Sequence, residues 1–185
     1  QVVALAGDGC LQEGVAAEAS SLAGHLNLDN LTILYDSNDV TLDAMADASQ
    51  SESVMDRFTA YGFHCIRVED GHDLVQIGNA LAEARANKDL PTFIEFKTLI
   101  AKGIPEVAGT AGGHGEGGAK FAESARLGLG LPEQPFYVSD KVRSFFEQRT
   151  AEQVQSRKQW DETYQSWRTA NPDKAALLDS GLKRE

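Results

Sequence analysis

Asp8 and Asn38 are the two side chains whose types and spacing can do chemistry together. Asp8 sits in Gly7-Asp8-Gly9, just after the apolar run Val2-Val3-Ala4-Leu5-Ala6. Asn38 sits in Ser37-Asn38-Asp39-Val40, just after a second apolar run, Leu31-Thr32-Ile33-Leu34-Tyr35. A carboxylate oxygen and an amide oxygen are hard ligands, suited to Mg²⁺ or Ca²⁺ carrying phosphate oxygens. Glycines on both sides of Asp8 let the backbone approach a ligand closely. The first run reads as a buried strand. The 30 residues from Asp8 to Asn38 have room for one helix and one strand, a βαβ unit. If its strands are parallel neighbours, both residues lie at strand carboxyl ends, in the crevice where open α/β sheets bind ligands. The pair predicts a metal-diphosphate site.

The elements that must position this pair follow from periodicity. Glu13–Leu26 carries Val15, Ala19, Leu22, Ala23 and Leu26 at helical spacing. Its remaining positions are mostly small, through Gly14, Ala17, Ser20, Ser21 and Gly24, which suits close packing on a sheet or a partner helix. Leu31–Asp36 is the second strand. Ser51–Tyr61 reads as a helix with Val54, Met55, Phe58 and Tyr61 inward, ended by Gly62. Phe63–Val68, Asp73–Ala86 and Pro91–Phe96 follow as strand, helix and strand. Alternating β and α predicts an α/β domain with a mainly parallel sheet and helices on both faces.

Ile100 to Gly118 is glycine-rich and without periodicity, a long loop of the kind that is often functional. Within Gly112–Gly115, His114 is the only side chain able to donate to a phosphate or substrate oxygen. Lys97, closing the fourth strand, faces the same edge and can meet diphosphate or be a plain surface lysine. Glu13 and Glu18 lie five apart, so they share no helical stripe. His25, near a helix C-terminus, suits a capping role as well as a ligand role. His64 and His72 join no constellation and read as structural or exposed. Cys10 reads as a small turn residue rather than a reactive thiol.

Composition excludes several classes. The chain has 17 basic and 28 acidic residues, a net charge of −11, which argues against a nucleic-acid or anionic-membrane surface. No apolar run approaches the ~20 residues of a membrane span. Cys10 and Cys65 form no CxxC motif or disulfide framework. The chain begins with Gln1 directly inside a strand, so an N-terminally incomplete domain is expected. Leu131-Pro132-Glu133-Gln134-Pro135 breaks the pattern, and Ser139 is a plausible N-cap for Asp140–Gln148. A polar helix with Val154, Trp160, Tyr164 and Trp167 follows, interrupted at Asn171-Pro172. The expected domains are therefore 1–130, α/β, and 131–185, a helical extension.

Gly-Asp-Gly followed about thirty residues later by Asn resembles the thiamine diphosphate fingerprint. More narrowly, Gly7 to Leu26, and above all Glu18-Ala19-Ser20-Ser21-Leu22-Ala23-Gly24-His25, resembles transketolase. One departure is Ser37, where the fingerprint often has a first Asn. The resemblance implies that Asp8, Asn38 and the backbone carbonyl of Val40 hold Mg²⁺, with Ca²⁺ a possible substitute. It implies that Gly7, Gly9, Cys10, Glu13, Asn38 and Lys97 lie against thiamine diphosphate. It gives His114 contacts to both diphosphate and substrate, as the catalytic residue of this chain. The implied activity is transfer of a two-carbon ketol group between sugar phosphates, in the pentose phosphate pathway of the cytoplasm, by a homodimer. The carboxylate that activates the cofactor belongs, in that family, to a pyrimidine-binding domain of the partner subunit. Residues 131–185 would lead toward such a domain, and the fragment alone would be inactive. Another thiamine diphosphate enzyme, such as a deoxyxylulose-phosphate synthase or a 2-oxo acid dehydrogenase subunit, is the alternative that residues 18–25 oppose. A non-catalytic remnant or binding module is the alternative of a different class.

Overall fold

The computed structural model describes residues 1–115 and 120–183. Glu116, Gly117 and Gly118, expected in the glycine-rich loop, lie outside the described residues, as do Arg184 and Glu185 of the extension. The chain divides into two compact units, Gln1–Leu131 and Pro132–Glu185.

In the first unit, strands β1 (Val2–Gly7), β2 (Leu31–Ser37), β3 (His64–Val68) and β4 (Thr92–Lys97) form one sheet in the order β1-β2-β4-β3. All three pairings are parallel. Helices α1 (Gly14–His25), α2 (Val54–Ala60) and α3 (Leu74–Ala86) connect the strands. Steps β1→β2 and β2→β3 run one way across the sheet, and β3→β4 runs back. Right-handed crossovers then put α1 and α2 on one face and α3 on the other. The two cores agree. On one face Ile33, Tyr35 and Phe93 pack with Ala23, Val54 and Phe58. On the other, Val68, Ile94 and Phe96 pack with Ala80 and Ala84. The alternation is the period of two along each strand. The expected parallel α/β sheet with helices on both faces is the observed fold.

Element ends follow local chemistry. Ser53 accepts the Asp56 N–H and caps α2, and Asp73 accepts from Val75 and Gln76 and caps α3. Those backbone donors hold the Asp73 carboxyl below its ordinary range. Gly62, at φ 91°, turns the chain out of α2 into β3.

One expectation needs correction. β1 is a strand but not a buried one. It lies at the sheet edge, and Val2, Val3 and Leu5 are each more than half exposed. Helix α1 packs inward with its small residues: Ser20, Ala23 and Gly24 are buried, while Val15, Leu22 and Leu26 are exposed. The cause is close packing: a Cβ on Gly24 would stand 1.7 Å from the Tyr61 carbonyl oxygen. Small residues therefore face the domain, and the stripe of Val15, Ala19, Leu22 and Leu26 faces away. Beyond the glycine-rich stretch lies a further helix, α4 (Ala122–Gly128), which the sequence pattern leaves unassigned. Gly128 meets Gly103 there so closely that a Cβ on it would lie 1.9 Å from the Gly103 carbonyl oxygen.

The second unit holds α5 (Asp140–Ala170) and α6 (Pro172–Lys183). Ser139 accepts the Val142 N–H at 3.3 Å and caps α5, which continues unbroken through residue 148. The interruption falls at Asn171, and Pro172 opens α6, where its missing N–H costs nothing. Arg168 grips Asp179 with two bonds of 2.8 and 2.6 Å, tying α6 to α5. No helix of the described residues is long and apolar enough to cross a membrane.

Candidate functional site

The parallel register of β1 and β2 places Gly7 opposite Asp36, so the chain leaves both strands at one edge of the sheet. Asp8 and Asn38 consequently meet: the Asn38 N–H donates to Asp8 Oδ2 at 3.1 Å. The Asn38 side chain folds over its own turn, with Oδ1 accepting the Val40 N–H at 3.1 Å and Nδ2 donating to Asp36. The turn is closed by Asp39, at φ 64°, and by a bridge between Val40 and Met45. Its bonds run from Thr41 to Ala44 and from Ala46 to Asp39, which leaves the Val40 carbonyl outside that ladder.

Asp8 is 3% exposed and joins no ion pair among the described residues. Its partners are neutral donors, the Asn38 N–H and the Tyr35 hydroxyl, which donates to Oδ1 at 2.7 Å. A buried carboxylate without a cation beside it is costly. Each carboxylate oxygen accepts more than one bond, so Asp8 retains acceptor capacity on both. A divalent cation at this point would supply the missing charge, and the donor set of carboxylate, amide oxygen and main-chain carbonyl suits Mg²⁺ or Ca²⁺.

Gly7 and Gly9 fit a ligand as well. Both have ordinary backbone angles, and a Cβ on either would meet nothing within 4 Å. Nothing within the described chain therefore requires glycine at these positions, and the space beside them is open. Cys10 opens a single 3-10 turn and is exposed, and Glu13 is the N-cap residue of α1 with its side chain free of the cap. On the α3 face a cleft of about 660 Å³ reaches this edge, lined by Leu5, Leu34, Phe96 and Ile100, with Asn38 and Thr98 at its rim. Hard oxygen ligands beside an apolar cleft match a ligand that joins a ring to a charged phosphate tail.

On the α2 face a second cavity, of about 560 Å³, is polar, with Asp8, Tyr35, Asp39, Arg67, Glu95 and Lys97 around it. Here the Lys97 ammonium donates to Ser37 Oγ at 3.0 Å and Asp39 Oδ1 at 2.9 Å. Burial, foremost, and then the neighbouring Asp8 push the Tyr35 phenol well above its ordinary range.

The structure thus brings together Gly7, Asp8, Gly9, Asn38 and Val40, with Lys97 directed to the residues flanking Asn38. It does not bring His114 to them by any described contact: His114 is exposed, following the turn Ala111–Gly113. His64 pairs with Glu83 at 2.9 Å, and His72 Nε2 accepts the Leu99 N–H at 3.0 Å. Sequence reasoning missed Tyr35 and gave Ser37 no role of its own. The available signal was that both lie on one strand, two apart, hence on one face and directly before the Asn38 turn.

Comparison with known proteins bears on the fold and the family. A family model described as the transketolase thiamine diphosphate binding domain matches residues 1–185. A transketolase of Physarum polycephalum is 56% identical over 181 residues, 97% of this chain and 27% of that protein. The solved transketolase of Leishmania mexicana superposes with a TM-score of 0.87 at 34% identity, over 99% of this chain and 28% of its own. A Pichia stipitis transketolase, solved in complex with sedoheptulose-7-phosphate, gives a TM-score of 0.85 at 34% identity, over 98% and 27% of the two chains. The chain therefore spans little more than a quarter of the length of these relatives.

Proposed function

This chain belongs to the transketolase family, in its thiamine diphosphate-binding domain, and on that premise we propose that it supplies the diphosphate- and metal-binding half of a transketolase site. The meeting of Asp8 with Asn38 at the end of two parallel strands carries the reading. Asp8, Asn38 Oδ1 and the Val40 carbonyl hold Mg²⁺, for which Asn38 Oδ1 must share or release the Val40 N–H. Gly7 and Gly9 give the cofactor's diphosphate access to the backbone, with Cys10 and Glu13 beside it. Thiamine diphosphate, when bound, supplies the carbon nucleophile that accepts a two-carbon ketol unit from a ketose sugar phosphate for transfer to an aldose. This chain's groups bind and orient. His114 donates to the diphosphate and to a substrate oxygen. The sugar phosphate bound by the Pichia relative supports that substrate class.

A homodimer belongs to the same proposal. The exposed stripe of Val15, Ala19, Leu22 and Leu26 on α1 suits packing against a second subunit, which would contribute the cofactor-activating carboxylate. Residues 131–185 then act as the connector toward a pyrimidine-binding domain. The enzyme so assembled works in the pentose phosphate pathway of the cytoplasm.

The test is calorimetric titration of the complete protein with Mg²⁺ and thiamine diphosphate. Wild type binds the cofactor in a Mg²⁺-dependent manner, and Asp8→Ala loses that dependence while its circular dichroism stays native. Wild-type-like, Mg²⁺-dependent binding in Asp8→Ala refutes the site.

A further inference from the structure

Tyr35 lies in β2 with 2% exposure, its ring packed on Phe93 at a centroid distance of 5.7 Å. Phenylalanine would fill the same core volume. A phenol hydroxyl taken into the core loses its water, so it must find a partner there. The partner is the Asp8 carboxylate, at 2.7 Å. The terminal torsion of an aspartate is broad when nothing holds it. Two donors, Tyr35 on Oδ1 and the Asn38 N–H on Oδ2, fix the plane of this one. Ser37, 2% exposed and two residues along the same strand face, accepts a hydrogen bond from the Lys97 ammonium at Oγ. The same ammonium bonds Asp39, so Lys97 grips the residues on both sides of Asn38.

We propose that Tyr35 is a positioning residue for the cation site, orienting the Asp8 carboxylate through the hydrogen bond of its hydroxyl to Oδ1. The inference rests on the reading of Asp8 as a cation ligand. The hydroxyl touches neither cation nor substrate. It keeps one lone pair of each Asp8 oxygen turned outward and raises the cost of any rotation that would withdraw the ligand. Partners of ligating carboxylates typically contribute 10–100-fold to metal affinity.

The experiment is calorimetric titration of the complete protein with Mg²⁺ at saturating thiamine diphosphate, with the melting temperature of the metal-free protein measured alongside. Tyr35→Phe keeps the ring and should leave the metal-free melting temperature within a few degrees, while the Mg²⁺ Kd rises ~10-fold or more. Raising Mg²⁺ should restore kcat, because the loss lies in cation binding and not in turnover. An unchanged Mg²⁺ Kd in folded Tyr35→Phe overturns the proposal. If that variant is poorly folded, the titration is repeated at a lower temperature at which its circular dichroism is native, and a raised Mg²⁺ Kd supports the proposal while an unchanged one overturns it. Asp8→Ala separates the two layers. If it binds Mg²⁺ as wild type does, the cation-site reading fails. If it loses Mg²⁺ while Tyr35→Phe does not, only the tyrosine inference fails.

Discussion

Gly9→Ala should make the metal-free protein more stable and a poorer binder of thiamine diphosphate. Gly9 has φ −63° and ψ −34°, angles that alanine adopts without strain. A Cβ built there meets nothing within 4 Å, so no clash opposes the substitution. Replacing glycine at a compatible position removes conformational freedom from the unfolded chain and is worth ~0.4–1 kcal/mol. For a domain of this size that corresponds to a rise in melting temperature of roughly 1–4 °C. The added methyl enters the open space where the backbone would approach diphosphate. Losing that approach should weaken cofactor binding ~10-fold or more, equivalent to about 1.4 kcal/mol. Differential scanning calorimetry without ligands and titration with Mg²⁺ and thiamine diphosphate measure the two effects in one preparation. Unchanged cofactor affinity would show that the ligand does not use this space. A lower melting temperature would show that the fold itself needs glycine here, which contradicts the packing.

Gly24→Ala should do the reverse, because its Cβ would collide with the Tyr61 carbonyl oxygen; overpacking of ~1–3 kcal/mol predicts a lower melting temperature by calorimetry. His114→Ala should lower kcat/KM ~10²-fold in steady-state assays of the complete enzyme while leaving its melting temperature unchanged, as for loss of a donor to a developing oxyanion. Leu22→Glu, on the exposed stripe of α1, should shift the complete protein toward monomer in sedimentation and weaken thiamine diphosphate binding with it. A dimer of wild-type strength in that variant would remove the stripe from the subunit interface.

What the sequence determined by itself is the part of the molecule governed by short-range rules. Strand, helix, strand, and ligand types at the strand ends were legible because polar residues directly after an apolar run must leave the sheet at its edge. The two ligands were assigned to one crevice on the condition that their strands pair in parallel, and the register of Gly7 with Asp36 meets that condition. The Ser139 cap and the break at Asn171-Pro172 were legible for the same local reason.

Tertiary structure decided what depends on which surfaces meet. Helix α1 carries both an apolar stripe and a small-residue face, and periodicity leaves open which of them meets the sheet. The approach of Gly24 to Tyr61 turns the small-residue face inward, because only small residues fit so close a contact. Tyr35 reads as an ordinary core aromatic until β1 brings Asp8, 27 residues away in sequence, within 2.7 Å of its hydroxyl. Lys97 sits at a strand end in the sequence, and only the insertion of β4 beside β2 brings its ammonium to Ser37 and Asp39. Each of these contacts joins residues distant in sequence. Side-chain types can supply donors and acceptors, but strand order and register select which of them meet.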